Sequence, residues 1–533
     1  MRGSSVLLSL VRVNVPLSAP SCFPVHTEQV REYLELYGKR FGLERYVRFG
    51  HAVTKVNKID CGDWAVTFRE ETNHEAMRHT NEVVECFDKC IISSGIFFSP
   101  IFPPPSKVMG IEEALEKGGE GVAVHCADYC GPERFRNKKV LVVGCAFSGS
   151  DIASDVAGVA KQCLVAAGRP AYHVHRFIPS TGVGVAPSFS SQGFSSQGVS
   201  SQGPPFLPVD LVFYSRAGRA KLKQLTLEEQ NHRVNAFLLS LCGQPGKLHS
   251  VLKVGEEGVN PNPNPNPNPN PNPKLHSVLK VGEEGVDVQV GGGKGASCEN
   301  PRVVVSDNFL DQVRLGAIEV RPRLLKLIDG GTITIAQFAD GTKAQVDEVI
   351  FCTGFRPNLS FLSTQLLETL EYNESDVLQP LILYHQTLHP KVPGLAFVGM
   401  YRGPYFGTIE LQARWAARLW AGLVPLPSLA ECELGLDSSR NIRSMPEPRP
   451  QFPTDYVDLM QDIGKAAGLE PDMSTLISCS SGEDSKVAEW LWSGPLLPCH
   501  YRLQQEEPEE VRSRALREIE IVNELVAQSR CPP

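Results

Sequence analysis

Residues 138–149 read KKVLVVGCAFSG: four consecutive apolar residues, Val140 to Val143, then Gly144, Cys145, Ala146, Phe147, Ser148 and Gly149. A short apolar run that ends in glycine predicts a buried strand entering a tight turn. The following SGSDIASDVAGVA reads as a helix and QCLVAAG as the next strand, so the stretch is a βαβ unit. Such a turn presents backbone N–H groups and the positive helix end to a pyrophosphate. Gly144 permits the turn and Gly149 permits close helix packing. Ala146 replaces the middle glycine of the usual pattern and narrows the approach, while Ser148 lies at the helix start.

The end of the second strand refines this expectation. An NAD-selective site carries an acid about 20 residues on. Here Val165-Ala166-Ala167-Gly168-Arg169 has no acid and places an arginine just beyond. Arg169, assisted by Arg176, is therefore expected to pair with a 2′-phosphate, which favours NADPH over NADH.

Outward from this unit, the N-terminal third offers a helical pattern at 28–43 and strand-like runs at HAVTKV, WAVTFRE and FDKCIISSGIF. Residues 302–351 read as strands with tight turns, closing on Cys352-Thr353-Gly354. Residues 393–422 read as a strand, a glycine-rich loop and a helix. The middle differs in kind. Three five-residue repeats, FSSQG, FSSQG and VSSQG, fill 189–203, Asn-Pro recurs seven times at 260–273, and KLHSVLKVGEEGV occurs at 247–259 and again at 274–286. Asn-Pro cannot hold a helix or a central strand, and two copies do not make a solenoid. Residues 187–203 and 245–299 are expected to be disordered insertions.

The 533 residues are 42% hydrophobic and 21% charged, with a net charge of −8, which excludes a fibrous chain and a basic nucleic-acid binder. Fifteen cysteines spread from Cys22 to Cys531 suit a reducing compartment, so a cytoplasmic protein is expected. No apolar run is long enough for a transmembrane helix, and Val6–Val11 is short for a signal peptide. Gly291–Gly295 only imitates a phosphate loop. Cys86, Cys90, Cys126, Cys130 and His125 have zinc-like spacing, but Cys86 to Cys90 falls in an expected strand that separates them by about 13 Å, so no metal site is expected.

Taken together, these residues resemble the flavin-containing monooxygenases. Gly121, His125 and Tyr129 match three positions of that family's Phe-x-Gly-x-x-x-His-x-x-x-(Tyr/Phe) fingerprint, with Gly119 standing where Phe is expected. GCAFSGSDIA resembles the family's NADPH turn, and IFCTGF its strand-ending Ala-Thr-Gly-Tyr element. GLAFVG with ELQARWAARLWAG is similar to its C-terminal flavin-side segment. The resemblance implies an α/β fold of two dinucleotide-binding, Rossmann-like, three-layer domains. Residues 1–130 would begin a discontinuous FAD domain, 131–330 would form the NADPH domain, and 331–533 would complete the FAD part. It implies FAD and NADPH as cofactors, with Thr353, Gly354 and Gln412 on their binding surfaces. The family's opening strand and GxGxxG turn have no counterpart before Leu34, so the FAD domain is expected to be N-terminally incomplete and the chain flavin-poor.

The implied chemistry takes O₂ and a small molecule with a soft nitrogen or sulfur, and the cofactor carries the hard step. Asn14, in VRVNVP, aligns with a family asparagine that faces flavin and nicotinamide; as a residue two before Pro16 it also reads as a plain turn residue. A non-catalytic NADP-binding remnant and a Baeyer–Villiger-type oxygenase are the alternatives, and Tyr129, where the latter group carries Trp, argues against the second. No oligomeric state is legible.

Overall fold

The computed structural model describes residues 27–59, 62–70, 82–116, 122–169, 171–179, 206–241, 251–253, 302–306, 308–329, 334–403, 406–472 and 483–530. Asn14, Gly121 and nearly all of 187–203 and 245–299 lie outside them.

A parallel five-stranded sheet organises the middle of the chain. Its strands are β1 (Ala123–His125), β2 (Lys139–Val143), β3 (Gln162–Ala166), β4 (Ile318–Arg321) and β5 (Glu348–Phe351), in the spatial order β4-β3-β2-β5-β1. Every neighbouring pair is parallel. In β2, Val140, Leu141 and Val142 are fully buried and Val143 nearly so, as a strand covered on both faces requires. Val140 and Val142 pack with Ile152, Ala153 and Val156 of helix α1 (Phe147–Ala157). Leu141 and Val143 face the other way, onto Leu327 and Phe338 of an antiparallel sheet of the strands Leu324–Asp329, Thr334–Phe338 and Lys343–Val346. Helix, parallel sheet and antiparallel sheet are the three layers, and each buried valine or leucine contributes about 1.5–3 kcal/mol.

The sheet does not follow divisions at 130/131 and 330/331. β1, from the first of those spans, and β5, from the last, both join the sheet of β2. Glu348, at the start of β5, accepts from Arg134 at 3.0 Å and Lys138 at 2.7 Å, which pins β5 beside β2. The sequence of β5 is equally apolar in either location, and only these long-range pairs decide it.

The second unit pairs Cys90–Ile92 with Leu395–Phe397 in parallel, and Leu395–Phe397 leads through Gly399 into helix α2 (Phe406–Trp420). Trp415 of α2 is fully buried against Leu459, Met460 and Ile463 of the helix Tyr456–Ala466. The single strand expected through Cys86 and Cys90 is two strands, Val83–Phe87 and Cys90–Ile92, which join different sheets.

One short part of the expected insertion is a strand. Val251–Lys253, in the first copy of the duplicated segment, pairs antiparallel with Tyr172–Val174, whose other edge takes Val303–Val305 in parallel. The duplication draws the eye to repetition, but Val-Leu-Lys is short enough for the open edge of Tyr172–Val174 to recruit it.

Candidate functional site

In the sheet order β4-β3-β2-β5-β1, connections leave β2 toward β3 on one side while β5 lies on the other. The C-terminal ends of β2 and β5 therefore flank the switch point, where open α/β sheets bind ligands. Gly144 and Cys352 occupy those ends. Gly144 has φ +105°, and a Cβ there would lie 2.5 Å from the Cys352 carbonyl oxygen. A Cβ on Gly149 would meet a second obstacle, the Gly144 oxygen. Both glycines are thus required by close backbone approach as well as by conformation.

Helix α1 begins at Phe147, with Ala146 as its N-cap. Ala146 has no side-chain acceptor, and the first turn holds no acid. By helix geometry the N–H groups of Phe147, Ser148 and Gly149 lack intrahelical partners. This uncapped positive end fits a pyrophosphate, and Ala146 and Ser148 stand on its rim. Beneath the turn, His173 is 2% exposed and lies 3.5 Å from both Cys145 Sγ and Ser150 Oγ. Burial pushes the His173 imidazole down to about 3, so it is a neutral support.

The two arginines expected on the 2′-phosphate separate. Arg176 Nη2 donates to Asp151 Oδ2 at 3.1 Å, and Ser306 donates to the other carboxylate oxygen at 3.0 Å. Its charge is thus matched inside the fold by Asp151. Arg169 is exposed, at the end of the β3 strand segment. Beside it stands a residue that sequence reading missed, Arg302. Val303 is in register with Tyr172, and Tyr172 N–H donates to Arg302 O at 2.8 Å. Gln451 grips both backbone groups of Val303, at 2.7 and 2.8 Å, and brings Glu447 and Arg449 near. Arg449 pairs with Asp376 and Glu447, whereas the half-buried Arg302 guanidinium makes no hydrogen bond or ion pair among the described residues. Burial and then Arg169 hold it below the ordinary arginine value. The only signal for Arg302 in the sequence was a cation just before an apolar strand.

The remaining expected residues fall into two groups. His125, at the end of β1, is 1% exposed between the rings of Phe102 and Phe355, with centroids 5.3 and 5.0 Å away. Its Nδ1 accepts from Ala127 N–H at 3.1 Å, and its buried Nε2 has no partner. Tyr129 stacks on Phe135 and reaches Asp155 at 3.5 Å. Thr353 Oγ1 donates to the Ile101 carbonyl, and Gly354 (φ +96°) accepts from Ile101 N–H at 3.0 Å, which ties β5 to the segment before β1.

Gln412 is fully buried on α2. Its Oε1 accepts from Gly399 N–H at 3.0 Å and its Nε2 donates to Gln386 O at 3.0 Å, so it meets a ligand only through the glycine loop it holds. Gly399, with φ +77°, closes the strand Leu395–Phe397, and this strand–glycine–helix unit fits the flavin side of a two-dinucleotide protein.

A parallel sheet with a glycine turn at its switch point, joined to a second strand–glycine–helix unit, defines a dinucleotide-binding flavoprotein of α/β class. The profile of the flavin-binding monooxygenase-like family matches residues 14–184 and 294–516, and the chain belongs to that family. It is 26% identical over 499 residues to flavin-containing monooxygenase 5 of Oryctolagus cuniculus, covering 91% of this chain and 75% of that protein. It is also 26% identical over 508 residues to dimethylaniline monooxygenase [N-oxide-forming] 2 of Mus musculus, with the same coverage. Among solved structures, S-allyl-L-cysteine S-oxygenase from Allium sativum superposes with a TM-score of 0.50 at 18% identity, covering 96% of this chain and 80% of that one, a likeness of fold. The protein is a flavin monooxygenase by family, and FAD and NADPH are the cofactors that go with it. Among the described residues no helix is long and apolar enough to cross a membrane.

Proposed function

We propose that this chain is an NADPH- and FAD-dependent monooxygenase that places one oxygen atom of O₂ on a soft nitrogen or sulfur of a small molecule, in the cytoplasm. The observation that carries the NADPH assignment is the uncapped end of α1 at the switch point, together with the cations Arg169 and Arg302, which share the carboxylate of Glu447, itself paired with Arg449. The activities for which two similar proteins are named, N-oxide formation and S-oxygenation, support the substrate class.

Each residue has a share of the work. The N–H groups of Phe147, Ser148 and Gly149 would hold the pyrophosphate, and Arg169 with Arg302 would hold the 2′-phosphate. Gly399, fixed by Gln412, and the Cys352-Thr353-Gly354 element would wall the flavin side. His125, with an unpartnered Nε2 between two phenylalanines, is the polar group left available at the junction. Bound flavin supplies the activation of O₂, and the protein orients the partners and excludes water.

The test is oxygen uptake by the flavin-loaded chain with NADPH, with and without a tertiary amine or a thioether. Stoichiometric N-oxide or sulfoxide supports the reading. NADPH binding without substrate-stimulated uptake or oxide overturns the catalytic part. A lactone formed from a cyclic ketone would instead favour the Baeyer–Villiger class.

A further inference from the structure

We propose that Cys126 and Cys352 form a modification site, a dithiol that hydrogen peroxide converts to a disulfide at the foot of the dinucleotide turn. Phe351 and His125 are register partners on the neighbouring parallel strands β5 and β1. Cys352 and Cys126 each follow directly on the end of their strand, Cys126 opening a 3-10 turn, so the two chains leave the sheet at adjacent points. Strands in a sheet lie about 4.8 Å apart, within the roughly 4.4–6.8 Å Cα separation that a disulfide spans. Both side chains enter the same apolar cluster beneath α1.

The surroundings give the two sulfurs different parts. The neighbouring Cys352 draws the Cys126 thiol well below its ordinary value, against burial, and the His125 Nδ1, an acceptor, lies 3.8 Å from the sulfur. The neighbouring Cys126 and then burial raise Cys352. Cys126, the sulfur with the His125 ring nitrogen beside it to take its proton, is assigned the attack and Cys352 the resolution. Each residue is 8% exposed, which admits a small oxidant in preference to a bulky one. The nearby Cys130 is exposed, and its thiol donates to Asp128 O at 3.5 Å.

The reaction balances as follows. The Cys126 thiolate attacks one peroxide oxygen, the O–O bond breaks, and hydroxide leaves to take up a proton as water. The Cys352 sulfur then attacks the sulfenic sulfur, the S–S bond forms, and the sulfenic hydroxyl leaves with the Cys352 proton as water. Two thiols and one peroxide become one disulfide and two waters; the sulfurs lose two electrons and the peroxide gains them.

The position gives the bond a consequence. The Cys352 carbonyl is the surface against which Gly144 packs, and a Cβ at Gly149 would lie 3.4 Å from Cys352 Cβ. Drawing Cys352 toward Cys126 shifts that wall and loosens the turn's hold on its nucleotide. This last step rests on the NADPH reading above; the disulfide does not.

The test treats the full chain with hydrogen peroxide, blocks remaining thiols, and digests it without reductant. A Cys126–Cys352 linked peptide that dithiothreitol reverses is expected, with dimedone labelling of Cys126 in Cys352→Ala and none of Cys352 in Cys126→Ser. NADP⁺ affinity is expected to drop about 5-fold or more on oxidation and to recover on reduction. Linkage of Cys126 to Cys130, or dimedone labelling of Cys352 in Cys126→Ser, overturns the dithiol. Linkage with unchanged NADP⁺ affinity overturns the coupling to the turn. Failure of the reduced chain to bind NADP⁺ while the linkage still forms counts against the proposed function alone.

Discussion

Gly149 packs so closely on Gly144 that a methyl group at position 149 would sit 1.9 Å from the Gly144 carbonyl oxygen. The contact joins the first turn of the helix to the end of the central strand, and backbone gives way less readily than a flexible side chain. Gly149→Ala should lower stability by about 1–3 kcal/mol, as overpacking does, and abolish nucleotide binding by tilting the helix end away. Thermal melting and NADP⁺ titration check both. A variant that binds NADP⁺ normally would show that the helix end does not hold the pyrophosphate.

The arginines separate by cofactor. Arg169→Ala and Arg302→Ala should each weaken NADPH binding about 10- to 150-fold and leave NADH nearly unchanged, since a charge-assisted hydrogen bond is worth roughly 1.5–3 kcal/mol. Arg176→Ala, which frees Asp151, should affect the two cofactors equally. Equal losses for Arg302→Ala would make it structural. Paired titrations with NADPH and NADH decide.

His173 makes stability depend on pH. Its folded value, about 3, lies below the usual value near 6.5, so between these limits the unfolded chain binds more protons than the folded one. Its contribution is full above pH 6.5 and falls as pH drops toward 3, by about 2 kcal/mol between pH 7 and 5. Urea denaturation at the two pH values should show a shallower loss for His173→Gln than for the wild type, and identical slopes would refute the assignment.

Gln412→Leu should strand Gly399 N–H and Gln386 C=O in a dry interior, at about 1–3 kcal/mol for each orphaned group. Flavin content of the purified variant should fall with its melting temperature. Gln412→Glu, which keeps the acceptor for Gly399, should retain more flavin than Gln412→Leu.

What the sequence made legible was what is local. Val140 through Ala166 is one continuous run of strand, turn, helix and strand, and every decision in it depends on neighbours a few residues away. The partners that govern the site are distant. Arg302 reaches Arg169 only because Val303 pairs with Tyr172 across a long stretch of chain, and Arg176 is neutralised by Asp151 on a helix that precedes it. The apolar run of β5 carried no sign that it would slot between β1 and β2, because Glu348 sets that position through Arg134 and Lys138. Val251–Lys253 was concealed by a repeat, which resembles a linker until an open strand edge is supplied.

The place of β5 between β1 and β2 also has a meaning for biosynthesis. β1 and β2 are consecutive in the chain yet separated in space by a strand that ends at Phe351. While the ribosome is still translating the intervening residues, each of them has a vacant edge where β5 will later insert, and a direct β1–β2 pairing would be a trap to be undone. Long-range strand insertion of this kind is slow and leaves edges open to other chains. The parallel sheet is complete only once Glu348–Phe351 has been translated and inserted.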